Sequence, residues 1–233
     1  MAKKEVVQDI FNDIAPKYDL LNHLLSLNID KGWRRQAMKH IGKDGKKHLL
    51  DVACGTGDFS IAACRAGVER VTGIDISANM VEIGRKKVRE AGLEECIDLQ
   101  IGDSEQMSFA DHAFDAVTVA FGVRNFEHLE AGLKEMLRVL RPGGKAVILE
   151  FSMPERFPMK QLYTFYFRHI LPTVGGWISG NKSAYAYLPA SVMKFPQGQV
   201  FLDIMRSCGF ASPVQHKLTF GIASLYVGEK PTD

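Results

Sequence analysis

Residues 49–57, Leu-Leu-Asp-Val-Ala-Cys-Gly-Thr-Gly, constrain the chain more than any other stretch. An apolar run that ends in an acid, followed by two glycines one residue apart, reads as a buried strand that delivers its backbone to a ligand. Glycine at 55 and 57 removes the side chains that would hold a ligand off the main chain. The next residues, 58–66, are apolar at Phe59, Ile61, Ala62, Ala63 and Ala66 and predict a helix. A helix opening on this turn aims its unpaired N–H groups and positive end at whatever binds there. The unit suits a nucleotide-like cofactor, with Gly55, Thr56 and Gly57 as its contacts.

Three observations narrow the cofactor. Dinucleotide-binding turns carry a third glycine where helix packs on strand, and here Ser60 stands in that place, which weighs against NAD. A second strand, Arg70 to Asp75, ends in another acid, and Asp75 is placed to accept hydrogen bonds from paired ribose hydroxyls. Ser77 then caps a helix running to about Ala91, with Met80 in its first turn to lie under an adenine ring. A third strand, Ile97 to Ile101, runs into Gly102-Asp103-Ser104, where Asp103, with Ser104 beside it, can accept the adenine amino group. A ribose acid followed by an adenine acid is what S-adenosyl-L-methionine requires.

Length and composition limit the rest. A chain of 233 residues, 46% hydrophobic, is long enough for one large α/β domain and too short for a second full one. With a net charge of +2 there is no electrostatic footprint for nucleic acid, and the basic run Lys43 to Lys47 reads as a solvated connection. No stretch approaches the roughly 18 to 20 apolar residues that cross a bilayer, and the amino terminus lacks a signal peptide's apolar centre. A soluble, unprocessed cytoplasmic protein is expected. Cysteines 54, 64, 96 and 208 show neither Cys-x-x-Cys spacing nor an attendant histidine pair, so they read as reduced thiols, with no metal site and no disulfide framework.

From Lys47 to Glu150 strands and helices alternate, which predicts a parallel sheet with helices on both faces and ligands at the strand carboxyl ends. Helical stripes around Val6 to Ile14, Leu20 to Leu27 and Lys31 to Ile41 precede it; the polar cluster Tyr18, Asp19 and Asn22 suggests a cap over the site. After Phe151 comes an aromatic, Gly- and Pro-interrupted stretch, then a helix at 199–208 and a terminal hairpin from segments 214–220 and 222–227. One domain follows, divided into an N-terminal helical cap (1–46), a cofactor-binding core (47–152), an aromatic substrate lid (153–196) and a terminal helix with β-hairpin (197–233).

Phe114-Asp-Ala-Val-Thr-Val-Ala-Phe-Gly-Val-Arg-Asn125 and Leu140-Arg-Pro-Gly-Gly-Lys-Ala-Val-Ile-Leu-Glu150 resemble the fourth strand with its tip and the fifth strand of class I S-adenosylmethionine-dependent methyltransferases. With Tyr18-Asp19-Leu-Leu-Asn22, Trp33-Arg34 and Leu149-Glu-Phe-Ser152, the chain resembles the ubiquinone/menaquinone biosynthesis C-methyltransferase family. One departure is Ala53, where many class I enzymes carry glycine. The resemblance implies a Rossmann-like α/β fold, a seven-stranded, mostly parallel sheet with an antiparallel edge strand. It also implies C-methylation of a polyprenylated quinol, demethylmenaquinol first and the benzoquinol precursor of ubiquinone as the alternative, met at the membrane surface. A homo-oligomer is compatible with it.

Methyl transfer to an aromatic carbon needs a phenolate, hence a group that stabilises the oxygen and one that takes its proton. Arg124 at the strand-four tip suits the first task because its guanidinium stays charged, though a structural pairing with Glu150 competes with that reading. Asn125 can orient water or the quinol oxygen, and Tyr18 with Asp19 can relay the proton. The seven histidines are scattered, with His23 beside the cap cluster the one to test. Three other functions compete: methylation of a different phenol or lipid, a non-catalytic cofactor-binding scaffold, which would need no Arg124 and Asn125 at a strand tip, and an NAD-dependent oxidoreductase.

Overall fold

The computed structural model describes residues 3–20, 26, 28–42, 47–170 and 182–232, the side chains of 17, 168 and 182–186 excepted. Asn22, His23, most of the Lys43 to Lys47 run, Trp177 and the Tyr185 side chain therefore lie outside the described residues.

The central strands are β1 (His48–Val52), β2 (Arg70–Asp75), β3 (Ile97–Ile101), β4 (Phe114–Ala120) and β5 (Leu140–Phe151), followed late in the chain by β6 (Ala211–Leu218) and β7 (Ala223–Glu229). They form one seven-stranded sheet in the order β3-β2-β1-β4-β5-β7-β6. Pairs among the first five are parallel, and β7 is antiparallel to both β5 and β6. The order reverses between β1 and β4, and in open α/β sheets ligands bind in the crevice at the carboxyl ends of the strands flanking such a switch. The Ala53 to Gly57 turn and the Phe121 to Asn125 segment leave the sheet at this point.

β1 and β4 are covered on both sides, which explains their near-continuous apolar sequence. Leu50, Val52, Val117 and Val119 face one core with Phe201 and Tyr226. Leu49, Cys54 and Ala116 face the other with Trp33, Phe59 and Val71. The intervening helices are α3 (Asp58–Arg65), α4 (Ala78–Glu90) and α5 (Leu129–Val139). The Ser77 cap forms as its sequence position predicts, its hydroxyl accepting from the Met80 amide at 3.2 Å. Residues Pro142 to Gly144 lie in the first part of β5, since α5 already ends at Val139.

Ahead of the sheet, α1 (Lys4–Ile14) leads through a 3₁₀ turn (Ala15–Lys17) towards α2 (Ile29–Ile41). Ile14 and Ala15 pack on Met80 of α4, with Phe11 and Tyr18 alongside, so α1 lies over the strand carboxyl ends. After β5 come α6 (Met159–Phe165), a π turn (Tyr166–Ile170), α7 (Lys182–Lys194) and α8 (Gln199–Ser207). Tyr163, Phe167 and Val192 form a small separate core here.

The cysteines correct the sequence reading. Cys64 on α3 and Cys96 ahead of β3 are joined as a disulfide, while Cys54 and Cys208 are free and buried. A separation of 32 residues carries no local signature; the pairing of β2 with β3 beneath α3 brings the two together.

Candidate active site

Two hollows open at the carboxyl end of the sheet and share Phe11, Tyr18 and Phe121 in their walls. The first, about 680 Å³, is lined by Gly55, Asp75, Ile76, Met80, Gly102 and Ser104 from the first three strand ends. Asn125, Phe126 and Glu127 close it on the β4 side, and Lys4 and Val7 of α1 on another. The second, about 640 Å³, is lined by Arg124, Phe151, Tyr187 and Leu188 on one part and by Ile10, Ile14, Ser26, Asp30 and Arg34 on the other.

The first hollow is built by the β1 turn. Ala53, Gly55 and Gly57 all adopt positive φ, +51°, +55° and +79°. Gly55 is the close-approach position: a Cβ there would stand 3.7 Å from Tyr18 Cε1, at the edge of the hollow. Gly57 serves a different purpose, since a Cβ would sit 3.1 Å from Leu99 Cδ1; its bare backbone lets α3 start close against β3. Thr56 also points elsewhere. Its hydroxyl donates to Asp19 Oδ1 at 2.5 Å, and Lys87 Nζ donates to the same hydroxyl, to Asp19 and to Asp58. Asp19 is thus held in an ion pair below the turn, away from both hollows.

Asp75 carries the β2 side. Its two oxygens accept the backbone amides of Gly55 and Ser77, each at 2.8 Å. Burial pushes its pKa up, and these amides, with that of Ile76, oppose the rise. A carboxylate has about four lone-pair sites, so three amides still leave Asp75 room to accept from a ligand hydroxyl. Ile76, Met80 and Phe126 supply an apolar shelf beside it. Asp103 is turned away: Oδ2 accepts from Lys4 Nζ at 2.5 Å and Oδ1 from the Glu105 amide at 2.9 Å. Its neighbours Gly102, Ser104 and Glu105 face the hollow in its place.

Arg124 is buried, 6% exposed, and its pairing with Glu150 is present. Nη1 donates to Glu150 Oε1 at 2.8 Å and to the Phe121 carbonyl, Nε donates to Ser191 Oγ at 3.3 Å, and the guanidinium lies 5.6 Å from the Phe151 ring centre. Among the described residues Nη2 has no partner. Burial pushes the Glu150 carboxyl up in pKa, countered first by the Arg124 charge. The arginine therefore both holds the strand tip and faces the second hollow.

Asn125 faces the first hollow while its Oδ1 accepts from Tyr187 Oη at 3.0 Å, and Tyr187 lines the second. Tyr187 entered the sequence reading only as one of many aromatics, because no spacing marks a residue that arrives from 62 positions away. Asp30 is likewise invisible in sequence, one acid on an amphipathic helix; in the structure it is 3% exposed and beside the second hollow. Among the described residues no group of three or more His, Cys, Asp or Glu could hold a metal ion.

A glycine turn, the Asp75 carboxylate and an apolar shelf line a hollow that adjoins a second, aromatic one. The family model described as the ubiE/COQ5 methyltransferase family matches residues 1–230.

The chain belongs to the ubiE/COQ5 methyltransferase family.

It is an S-adenosylmethionine-dependent methyltransferase. It is 48% identical over 229 residues to the demethylmenaquinone methyltransferase of Bacteroides fragilis, covering 98% of this chain and 94% of that one. It is also 48% identical over 230 residues to the ubiquinone/menaquinone biosynthesis C-methyltransferase UbiE of Geotalea daltonii, covering 98% and 97%. Solved structures share the fold at lower identity. A Thermotoga maritima S-adenosylmethionine-dependent methyltransferase superposes with a TM-score of 0.68 at 19% identity, over 96% of this chain and 99% of that one. Haemonchus contortus phosphoethanolamine N-methyltransferase 2, solved with S-adenosyl-L-methionine, gives 0.63 at 14% identity, over 86% of this chain and 52% of that one.

Proposed function

We propose that the enzyme of this chain methylates a ring carbon of a polyprenylated quinol, demethylmenaquinol to menaquinol. The observation that carries this reading is the adjoining pair of hollows, one with the cofactor turn and Asp75, the other walled by Phe11, Phe121, Phe151 and Tyr187 with Arg124 among them. Flat aromatic walls suit a quinol ring, and the names of the relatives supply its class.

S-adenosylmethionine, when bound, supplies an electrophilic methyl group on a sulfonium. Gly55 lets it approach the β1 backbone, Asp75 accepts its ribose hydroxyls, and Ile76 and Met80 hold its base. Phe11, Tyr18 and Phe121, common to both hollows, align the ring with the methyl group, which is where positioning gives its greatest effect. Arg124, through Nη2, stabilises the negative charge on the ring oxygen ortho to the accepting carbon. Asn125, held by Tyr187, fixes the tip of β4 between the two ligands.

The substrate's prenyl tail is membrane-borne, and the surface formed after β5 fits a peripheral, cytoplasmic encounter with a bilayer. Phe157 and Phe220 are 82% and 80% exposed, Leu162 and Phe165 of α6 are exposed, and Arg156 and Lys160 lie among them, with Lys217 paired to Glu155. No described helix is long and apolar enough to cross a membrane. The decisive test is incubation of purified protein with S-adenosylmethionine and chemically reduced demethylmenaquinone of short prenyl length, with mass spectrometry of the extracted quinone. Absence of the methylated product, with the protein folded and binding S-adenosylhomocysteine, would overturn the assignment.

A further inference from the structure

Phe121 follows β4 at φ +59°, in the left-handed region that a bulky side chain seldom adopts. Two bonds of its own backbone hold it there: its amide donates to the Leu149 carbonyl at 2.7 Å, and its carbonyl accepts from Arg124 Nη1. Strain held at a strand tip beside a ligand hollow points to function. The ring is stacked on Phe151, with centroids 4.3 Å apart and planes 27° from parallel. Trp33 stands 6.0 Å from one ring and 6.2 Å from the other, so it packs beside the stack and not over it. Phe121 lines both hollows with the surface that the stack leaves uncovered.

Phe11 and Tyr18 join Phe121 at the boundary, in edge-to-face contact with each other at 6.0 Å. Among the described residues these three rings are what the two walls share, and every acid and every cation lining the hollows belongs to one wall alone. The cations are already matched, Lys4 to Asp103, Arg34 to Asp30 and Arg124 to Glu150. A methyl group passing from cofactor to acceptor crosses this boundary, and it starts on a sulfonium, a cation with three alkyl groups and no proton to donate. Such a centre cannot give a hydrogen bond. Aromatic faces attract it through their quadrupole, as aromatic cages hold quaternary ammonium groups. We propose that Phe11, Tyr18 and Phe121 form an aromatic cage for the sulfonium, and so distinguish the charged methyl donor from its neutral demethylated product. The assignment rests on the reading of the first hollow as the cofactor's and the second as the acceptor's.

Calorimetry without quinol compares the affinities of S-adenosylmethionine and S-adenosylhomocysteine. Phe121→Leu removes the ring and keeps an apolar side chain. It is expected to weaken S-adenosylmethionine binding by about 3- to 30-fold, the range of a cation–π contact shielded from water, with S-adenosylhomocysteine within about twofold of wild type. Phe121→Tyr keeps a ring and should keep the wild-type ratio. Equal loss of both ligands in the Leu variant, or a Tyr variant that behaves like Leu, overturns the proposal. Charge is separated from methyl packing with the aza analogue, in which a methylated nitrogen replaces the sulfonium, measured on either side of that amine's titration. The loss is expected for the protonated form alone, and an equal loss for the neutral form overturns the cage. If Phe121→Leu does not fold, Phe11→Leu, at a position without positive φ, carries the same expectations. A wild-type protein that binds neither nucleoside overturns the cofactor reading itself, whereas one that binds both, with the ratio unchanged in the variants, overturns only the cage.

Discussion

The amide of Gly55 donates to Asp75 Oδ2 at 2.8 Å, so the glycine turn of β1 is fastened to the end of β2 by the same carboxylate that faces the cofactor hollow. Asp75 is therefore an architectural residue as well as the one proposed to bind the ribose. Asp75→Ala should weaken S-adenosylhomocysteine binding by roughly 1.5 to 3 kcal/mol, about 10- to 100-fold, and also lower the melting temperature because two amides lose their acceptor. Asn is no rescue, since its amide group places a donor against one of those amides. Calorimetry and thermal melting on both variants check this, and unchanged affinity in a folded variant would remove Asp75 from the site.

Arg124 neutralises a buried carboxylate, so its removal acts on stability as well as rate. Arg124→Ala leaves Glu150, 0% exposed, without its charge partner, and such losses run to about 3 to 5 kcal/mol. We expect a clear drop in melting temperature, partly restored when Glu150→Gln is added, and turnover lower by about 10²-fold or more that the second substitution does not restore. Arg124→Lys keeps the charge without the planar fork and should recover only part of each. Restoration of full turnover by Glu150→Gln would show that Arg124 acts on the fold alone.

Asp51, at 1% exposure, has its carboxyl pushed up by burial to about 6, with Ser60 and Thr118 hydroxyls acting against the shift. An unfolded Asp titrates near 4. Between these values the folded state holds a proton that the unfolded state has lost, so this group's contribution is greatest below about pH 4 and is lost as pH rises through 6. The loss is on the order of 3 kcal/mol at neutral pH. Asp51→Asn, which can still accept from Ser60, should be more stable than the parent at pH 8 and should lose that advantage towards pH 4. A constant difference across that range would show that Asp51 does not titrate in this window.

Ala53 stands at φ +51°, in the left-handed region where a side chain is strained, and its Cβ lies only 2.6 Å from where one on Gly122 would sit. Ala53→Gly should be neutral to stabilising by about 1 kcal/mol, strain relief being set against the greater freedom of an unfolded glycine. Gly122→Ala should destabilise, and less so in the Ala53→Gly background. Additive effects in that double-mutant cycle would show that the two positions do not crowd each other.

Much of the sheet was readable because parallel strands buried on both faces must be written as apolar runs, and because turn glycines and acids sit where backbone geometry requires them. Gly55 and Asp75 follow from that logic. Gly57 shows its limit, since a glycine at positive φ is equally required for a ligand's approach and for packing against Leu99, and only the fold separates the two. Asp19 and Asp103 illustrate another: an acid in the right place by chain order was claimed by a lysine from elsewhere, Lys87 in one case and Lys4 in the other. Asp30, Tyr187 and the Cys64–Cys96 pair left no trace in local sequence because their meaning lies in contacts between distant segments.

α1 lines one hollow with Lys4, Val7 and Phe11, and it is docked there by polar contacts at both ends, Lys4 to Asp103 at 2.5 Å, Gln8 to the Ile76 carbonyl at 3.0 Å and Ser77 to Asn12 at 2.6 Å. A cofactor that touches α1 binds the docked helix in preference to the undocked one, and any such ligand shifts the docking equilibrium by RT ln(1 + [L]/Kd), about 2.7 kcal/mol at a hundredfold excess over Kd. The amino-terminal helix is thereby a thermodynamic reporter: protease cleavage within residues 4–14 should slow in step with cofactor occupancy, and trimming α1 should weaken cofactor binding by the coupling free energy between ligand and docked helix.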